Sequence, residues 1–297
     1  MTYLTRLTHV MIFVFWLVHW LPLPILALFG RLLGMFCYVF IVPRRRIAAK
    51  NLKLCFPELD DRARRRLLRR HFQAFGRSMF ERGILWWASP KRFRRIVRFK
   101  GEEQMRALVQ AGTPVIVVAP HFVGLDMGGS RAGMSFDGAS VYARQDNDLV
   151  FDAWLRRGRL RFGNQILLEK DEGIRGAVKA LKSGRPFYYL PDMDLGCKDA
   201  IFVPFFGVEA STVTGLSRIA RLTGAKVLPS VTRMLSGGGG YVLEIGEAWE
   251  NFPTDDVEAD TRKMNAWIES AVRTMPEQYY WIHRRFRTRP DGEAYLY

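Results

Sequence analysis

Hydrophobic residues at the start of the chain form one long run, from Val10 to Val42, with few polar interruptions. Its first part, Val10–Phe29, is about as long as the ~20 residues that cross a bilayer. The apolar part is too long for a signal peptide and lacks a small-residue cleavage site. The pattern therefore predicts an N-terminal membrane anchor over residues 1–43.

Two prolines, Pro22 and Pro24, divide this run and are expected to kink or break its helix. Either one kinked helix spans the membrane, or two shorter helices lie in one leaflet; we favour a single span. A buried hairpin of a soluble protein is the alternative, but the length of the run disfavours it. By the positive-inside rule, the basic residues that follow at once would be cytoplasmic: Arg44, Arg45, Arg46, Lys50 and Lys53.

Residues 44–96 show a second pattern, in which apolar positions recur at helical spacing among many arginines. Asp60 or Asp61 is a candidate N-cap for a long helix that continues to Trp87. The basic face of this helix would be solvated or, next to an anchor, in contact with anionic lipid head groups, at about 1 kcal/mol per basic residue. We predict a basic amphipathic helical segment here.

From Val97 onward, short β-branched runs alternate with amphipathic stretches, which predicts an α/β domain over residues 97–297 with a mixed, mainly parallel sheet flanked by helices. Val115–Val118 has no polar break, as in a strand buried on both faces. Ser236–Gly240 is expected to be the tip of a hairpin between the last two strands. The predicted strands are 115–119, 140–144, 186–190, 226–232 and 241–246, and the predicted helices are 102–111, 127–133, 147–160, 172–183, 211–223 and 260–274.

The chain is strongly basic, with 45 Lys and Arg against 29 Asp and Glu, a net charge of +16 and a pI of about 10.2. This charge favours an acidic partner, which could be nucleic acid, an anionic membrane surface or an acidic protein. A hydrophobic content of 48% excludes a disordered basic tail protein. Cys37, Cys55 and Cys197 are too widely spaced to predict a zinc site or a disulfide framework, and they suit a reducing compartment.

His121 follows the strand at 115–119 directly, at the sheet edge where α/β proteins bind ligands. Asp126 lies five positions later, and on one regular helix the two side chains would point about 140° apart. They can cooperate if His121 lies in the turn and Asp126 on the first turn of the next helix. The carboxylate would then fix the imidazole tautomer and leave the other nitrogen as a base. Alternatively, His121 caps the helix and Asp126 offsets its dipole.

Further charged residues follow other elements and should converge on the same edge of the sheet. Arg144 and Arg161 offer planar guanidinium groups that suit a phosphate. Asp192 and Asp194 could bind polar groups of a substrate or hold those arginines. Structural ion pairs, such as Arg144 with Asp192, are the alternative.

Two other kinds of chemistry are disfavoured by the sequence. The residues around Ser130 lack the last glycine of a GxSxG elbow and lie too far beyond the strand, and no cysteine lies near His121. The five histidines form no HExxH motif or close pair, so we predict no metal site. A histidine and a carboxylate without a protein nucleophile imply direct transfer of a group to an activated hydroxyl.

The segment from His121 to Asp126, HFVGLD, resembles the HxxxxD motif of the glycerolipid acyltransferase superfamily. Nearly the whole chain is similar to the late acyltransferases of lipid A biosynthesis, the lauroyl and myristoyl transferases of lipopolysaccharide assembly. The resemblance implies a glycerolipid-acyltransferase-like fold. Besides the anchor and the histidine motif, it includes the stretches 51–59, 158–184, 191–196, 202–215 and 276–290.

This resemblance also implies an activity. The acceptor would be a lipid A precursor, a phosphorylated glucosamine disaccharide with hydroxyacyl chains, and the donor a fatty acyl chain on acyl carrier protein. His121 would deprotonate a hydroxyl of the acceptor and Asp126 would orient His121, while Arg144, Arg161, Asp192 and Asp194 would bind substrate. No cofactor or metal is expected. Many late acyltransferases have Glu where this chain has Asp126.

The implied location is the cytoplasmic face of the bacterial inner membrane, with membrane lipids as partners and no nucleic acid. The aromatic and basic residues of Pro276–Pro290 suit an interfacial or carrier-docking surface, although for Tyr280 and Trp281 packing on the core is favoured. One alternative is a glycerophospholipid or aminolipid acceptor. Another is a non-catalytic, membrane-anchored protein that binds anionic lipid or nucleic acid. This alternative would not explain why a buried strand places His121 and Asp126 in a turn.

Overall fold

The computed structural model describes residues 3–169 and 172–297. The first two residues of the predicted anchor and residues 170–171 of the stretch 158–184 lie outside this range. The helices are α1 Tyr3–Val18, α2 Leu23–Phe40, α3 Val42–Cys55, α4 Asp61–Phe80, α5 Arg82–Trp87, α6 Pro90–Ile96, α7 Glu102–Gln110, α8 Leu125–Gly133, α9 Leu149–Arg159, α10 Gly173–Lys182, α11 Gly215–Thr223 and α12 Val257–Thr274. The strands are β1 Val97–Lys100, β2 Val115–Val118, β3 Ala139–Tyr142, β4 Ile166–Glu169, β5 Phe187–Tyr189, β6 Ala200–Phe205, β7 Val208–Val213, β8 Lys226–Met234 and β9 Tyr241–Ile245.

Seven strands form the main sheet in the order β1-β9-β8-β2-β5-β3-β4. Every neighbouring pair is parallel except β8 and β9, which form an antiparallel hairpin. The short turn of this hairpin is a 3-10 helix at Ser236–Gly238, within the predicted tip. The predicted mixed, mainly parallel sheet flanked by helices is therefore confirmed, and β2 lies at its centre.

Side chains of β2 point alternately into two hydrophobic clusters on opposite faces of the sheet. Ile116 and Val118 pack with residues of α3, α4, α10, α11 and α12. Val115 and Val117 pack on the other face with Met105 of α7. All four side chains are buried, as expected for a central parallel strand, and this burial fixes the position of the turn that follows.

The N-terminal apolar run forms two helices rather than one. α1 ends at Val18, residues 19–22 form a turn, and α2 begins at Leu23 with prolines at its start. The break expected at Pro22 and Pro24 is confirmed, and it places a turn in the middle of the stretch Val10–Phe29. Within the described part of the chain, α2 is one helix whose length and composition would allow it to cross a membrane.

Residues 44–96 lie mostly in four helices, α3 to α6, and the helix predicted to continue to Trp87 is divided into α4 and α5. The side chain of Asp60 accepts a hydrogen bond from the backbone N–H of Ala63, which confirms the predicted N-cap of α4. α4 stops at Phe80, and α5 begins after Glu81. Leu68 and Phe72 of α4 belong to the same hydrophobic cluster as Ile116, so side chains pack across the predicted boundary at residue 96.

Four strands were missing from the sequence prediction. β1 and β4 are four-residue strands at the two edges of the main sheet. β6 and β7 form a separate antiparallel hairpin, and Phe206 turns the chain between them with a φ of 53°. The helix predicted at 211–223 therefore starts at Gly215, because residues 208–213 belong to β7.

Candidate active site

Backbone hydrogen bonds hold the turn after β2 on two sides. The N–H of Ala119 donates to the carbonyl of Tyr189, beyond the end of the β2–β5 ladder. On the other side, Val123 donates to Gln278, and Tyr280 donates to the carbonyl of His121. The turn therefore lies between β5 and the C-terminal segment, and His121 has little freedom to move.

His121 makes two hydrogen bonds to Asp192. Its backbone N–H donates to Oδ2 over 2.8 Å, and its ring Nδ1 lies 2.7 Å from Oδ1. Because an ionised carboxylate only accepts hydrogen bonds, the ring proton belongs on Nδ1. The Asp192 side chain is 1% exposed and the His121 side chain is 23% exposed. This pair fixes the tautomer and leaves Nε2 without a hydrogen-bond partner within residues 3–169 and 172–297.

Asp126 lies on the first turn of α8, as predicted, but it does not orient His121. Arg82 of α5 donates to its Oδ2 over 3.0 Å, and Arg159 at the end of α9 contacts its Oδ1 at 3.0–3.1 Å. The expected contact between Asp126 and His121 is thus corrected, since two arginines occupy this carboxylate and Asp192 takes its place on the histidine. His121 and Asp126 are close in the sequence, which suggested that they form a pair. Their actual partners are distant in the sequence and could not be found in this way.

Charges around the two carboxylates keep them ionised. Burial alone would raise the pKa of Asp126, but the guanidinium groups of Arg159 and Arg82 outweigh burial and hold that pKa well below its usual range. Burial also opposes ionisation of Asp192, but His121, as an imidazolium and through its hydrogen bonds, lowers the pKa of that carboxyl. Both groups therefore carry a negative charge at neutral pH.

Residues of the C-terminal segment enclose Asp192. Burial, followed by the Asp192 carboxylate, raises the pKa of the Tyr279 hydroxyl. Arg285 is buried and donates to the carbonyl of Ser211 and to the hydroxyl of Thr212. Burial, and then Arg285, lower the pKa of His283 to about 4, so this ring stays neutral.

The other predicted substrate-binding residues lie in different surroundings. Arg161 donates to the backbone carbonyls of Ile84, Leu85 and Ala88 and so holds the end of α5. Asp194 accepts from the backbone and hydroxyl of Thr288 at 2.7 Å. These contacts are structural, and they correct the expectation that Arg161 and Asp194 face a ligand.

Arg144 is exposed and pairs with Asp146 at 3.1 Å rather than with Asp192. Of the four residues predicted to bind substrate, Asp192 is the one that the structure brings into contact with His121. Arg82 and Arg159 were not assigned to the site from the sequence. Arg159 begins the RLRFGN stretch whose convergence on this edge was expected, whereas Arg82 carries no such signal because it is one of many arginines in residues 44–96.

A small cavity of about 70 Å³ opens beside Asp126 and Arg159. Its walls are mainly apolar and come from α8 and from the ends of β3, β4 and β5. The buried hydroxyl of Tyr188, on this wall, has no hydrogen-bond partner in the described part of the chain. A mainly apolar cavity of this kind suits an apolar substrate group better than a charged one.

The site as a whole combines a partly open histidine with a buried carboxylate that orients it, and an apolar cavity lies beside Asp126. Asp126 with its two arginines adds one net positive charge close by. Such a site can take a proton from a hydroxyl and favours a substrate with both hydrocarbon and anionic parts.

Comparisons with known proteins agree with this chemistry. The sequence model described as "Bacterial lipid A biosynthesis acyltransferase" matches residues 2–288. The lipid A biosynthesis lauroyltransferase of Escherichia coli K12 is 38% identical over 288 residues, which cover 96% of this chain and 93% of that protein. The palmitoleoyltransferase of the same organism is 36% identical over 286 residues, 96% of this chain and 92% of that protein.

One solved structure is also similar, the 1-acyl-sn-glycerophosphate acyltransferase of Thermotoga maritima. It aligns with a TM-score of 0.36 and 18% sequence identity, over 84% of this chain and 97% of that chain. The match of the family over almost the full length, together with relatives above 35% identity, decides the assignment. The chain belongs to the bacterial lipid A biosynthesis acyltransferases.

Proposed function

We propose that this protein transfers a fatty acyl chain from acyl carrier protein to the hydroxyl of a hydroxyacyl chain on a lipid A precursor. The observation that carries the proposal is the hydrogen bond from His121 Nδ1 to the buried Asp192, which leaves Nε2 without a partner among the described residues, on a side chain that is 23% exposed. The names of the relatives support the class of acceptor, since they are enzymes of lipid A biosynthesis.

In the proposed reaction, Nε2 of His121 removes the proton of the acceptor hydroxyl as its oxygen attacks the thioester carbonyl. Collapse of the tetrahedral intermediate forms the ester and breaks the carbon–sulfur bond. The imidazolium then returns its proton to the leaving thiolate. Asp192 stabilises the imidazolium and keeps the ring in position. A thioester is already activated, so this reaction needs no metal and no cofactor.

Positive charge supports both proposed partners. The net charge of +16 suits an acidic carrier protein and a phosphorylated acceptor. Asp126 fixes Arg82 and Arg159 beside the site, where their excess positive charge would attract the phosphate of the acceptor. We further propose that the protein lies at the bacterial inner membrane, anchored by its N-terminal region, with the catalytic domain on the cytoplasmic face.

The test is a transfer assay with detergent-solubilised protein, a labelled tetra-acylated lipid A precursor and acyl carrier proteins that bear different chains. We expect product from the parent and little from His121→Ala or Asp192→Asn. Asp255→Asn, which changes a fully exposed carboxylate, is the matched control and should be as active as the parent. Full activity of His121→Ala would overturn the mechanism.

Other acceptors are outcomes of the same assay. If the parent gives no product with the lipid A precursor but acylates a lysophospholipid or an aminolipid, the acceptor assigned here is wrong while His121 still acts as the base. If the parent acylates nothing and binds anionic vesicles equally well with and without His121, the protein is a binding protein rather than an enzyme.

A further inference from the structure

The helices α1 and α2 each expose an apolar face. On α1 this face includes Val10 and Leu17, and on α2 it includes Leu28, Leu32 and Phe36. The spacings of four and seven residues keep each set on one side of its helix. Val10, Leu28 and Phe36 are 56–59% exposed. A continuous apolar surface of this extent is rare on a soluble protein unless something covers it.

The opposite faces of both helices are packed on the rest of the protein. α2 runs antiparallel to α4 with the two backbones in contact. A Cβ atom at Gly34 would lie 2.1 Å from the carbonyl oxygen of Phe72, and one at Gly76 would lie 2.3 Å from the carbonyl oxygen of Gly30. On α1, Phe15 is buried in the cluster that contains Trp86. Neither helix can detach from the rest of the protein without exposing these packed side chains to solvent.

Both ends of α2 also touch the catalytic domain. At its start, Pro24 packs against Gly238 in the turn between β8 and β9. Just beyond its end, Arg44 donates to the backbone carbonyl of Ile282 in the C-terminal segment. α2 therefore lies along the surface of the domain over its full length, and it does not project away from it.

An upright span is incompatible with this packing. α4 separates α2 from the sheet, since Leu68 and Phe72 pack with Ile116. If α2 crossed the bilayer with this packing intact, α4 would enter with it and bring the exposed Arg69 and Arg70. An arginine inside a bilayer is costly, up to roughly 2.5–3.5 kcal/mol at the centre even on the lowest scale, so these two arginines oppose an upright α2.

Exposed cations border the apolar face. Arg6 lies near the start of α1, and Arg44 and Arg46 follow the end of α2. Near the turn between the two helices, Arg92 donates to the backbone carbonyls of His19 and Leu21, and the exposed Arg95 is on the same short helix. Apolar side chains surrounded by cations match the acyl layer and anionic head groups of a membrane surface.

We propose that α1 and α2 form a hairpin that lies flat in one leaflet of an anionic membrane and does not cross it. The apolar face enters the acyl layer, and the surrounding arginines contact the phosphates. Arg44 binds the C-terminal segment two residues from Tyr280, which donates to the carbonyl of His121. His121 therefore lies near the level of the head groups. This placement refines the membrane location proposed above and is independent of acyl transfer.

The depth of three labelled positions on α2 tests the proposal. The native cysteines Cys37, Cys55 and Cys197 are replaced by alanine, and Ile25→Cys, Leu32→Cys or Phe40→Cys is then labelled with a fluorophore. Vesicles contain phosphatidylglycerol and phosphatidylethanolamine, with bromine at known depths in the acyl chains as quencher. Gln110→Cys, on an exposed position of α7, is the solvent control.

A flat helix places all three labels at similar depths, roughly 5–10 Å below the boundary between head groups and acyl chains. An upright helix would separate positions 25 and 40 by about 22 Å, at 1.5 Å per residue. Such a gradient, or labels that stay in water like the control, would overturn the proposal. Neither donor nor acceptor is present, so failure of acyl transfer leaves this result unaffected.

A second measurement uses the exposed face directly. The double variant Leu28→Gln, Phe36→Gln changes side chains that contribute little to internal packing, so the protein should fold normally. We expect its partition into the same vesicles to fall at least tenfold, because two large side chains no longer leave water. Unchanged partition with an unchanged unfolding temperature would contradict insertion of this face.

Discussion

His121 and Asp192 are joined by two hydrogen bonds, although 71 positions separate them in the sequence. The contact exists because β2 and β5 are parallel neighbours, so the residues that follow each strand meet at one edge of the sheet. One carboxylate oxygen holds the backbone of the histidine and the other holds its ring. The ring is thus fixed in both position and tautomer before a substrate arrives.

Replacing Asp192 by Asn should lower kcat by about 10²–10⁴-fold with little change in KM. An amide has one acceptor oxygen for the two donors of His121, and its NH₂ group would oppose the second donor. The transfer assay at saturating donor measures the effect, with Asp255→Asn as control. Activity within a factor of three of the parent would show that Asp192 does not position the base.

Replacing Asp126 by Asn should lower the free energy of unfolding by about 3 kcal/mol, because Arg82 and Arg159 would be left without their counter-charge in a largely buried site. Adding Arg82→Gln to this variant should recover part of the loss, since one unpaired charge is then removed. Urea unfolding of the two single variants and the double variant measures the coupling. Strictly additive losses would contradict a shared ion-pair network.

Acid should destabilise the protein between about pH 6.5 and pH 4. Burial lowers the pKa of His71 to about 4, below the value near 6.5 of an unfolded histidine. The folded state therefore binds fewer protons, and the stability that this neutral ring contributes is complete above pH 6.5 and is lost as the pH falls toward 4. His283 acts in the same direction.

His71→Asn tests this effect, because its amide can still donate to the carbonyl of Glu277, as Nδ1 of His71 does. The variant should show a shallower fall in the free energy of unfolding between pH 6.5 and pH 4, by up to about 3 kcal/mol. Urea unfolding at several pH values measures the slope. An unchanged slope would mean that His71 does not titrate in this range.

The contact between α2 and α4 predicts a sharp difference between two glycine substitutions. In Gly34→Ala the new methyl group would meet the backbone of Phe72, so we expect a loss of about 3 kcal/mol or more. In Gly129→Ala, within α8, nothing lies within 4 Å of the new atom, and the variant should gain about 0.5–1 kcal/mol of helix stability. Thermal unfolding compares the two, and equal effects would contradict the close approach of α2 and α4.

The sequence predicted the central part of the sheet well because its signals are local. Val115–Val118 is an unbroken apolar run, and Pro120 ends its ladder, so the turn at His121 could be placed to the residue. The hairpin of β8 and β9 was equally clear from its glycine-rich tip. The predicted packing of Tyr280 and Trp281 on the core is confirmed, since Trp281 is buried and the half-buried Tyr280 packs against the same cluster.

The partners within the site could not be predicted in the same way. Asp126 is close to His121 in the chain, and that proximity suggested a pair. Its real partners, Arg82 and Arg159, lie 44 and 33 positions away and come together only when α5 and α9 pack. The sequence contains 45 Lys and Arg residues, and nothing in it indicates which of them will pair with a given carboxylate.

The strands around Phe206 were missed for a different reason. Pro204 and a left-handed residue interrupt the alternation that normally identifies strands, yet β6 and β7 pair along six residues. The pairing of the two backbones outweighs a weak local preference for strand structure. It is supported by burial of side chains of β6 such as Val203 and Phe205.

The hydrogen bonds between the turn at His121 and the segment around Tyr280 also constrain the order of events during synthesis. The ribosome makes the N-terminal helices α1 and α2 before the segment that completes the histidine turn. A growing chain can therefore reach the membrane long before it has a finished site. A chain that ends before residue 278 contains both His121 and Asp192 but lacks the segment that closes the turn beside them. The turn that holds the histidine therefore closes only after residues 278–280 have been made.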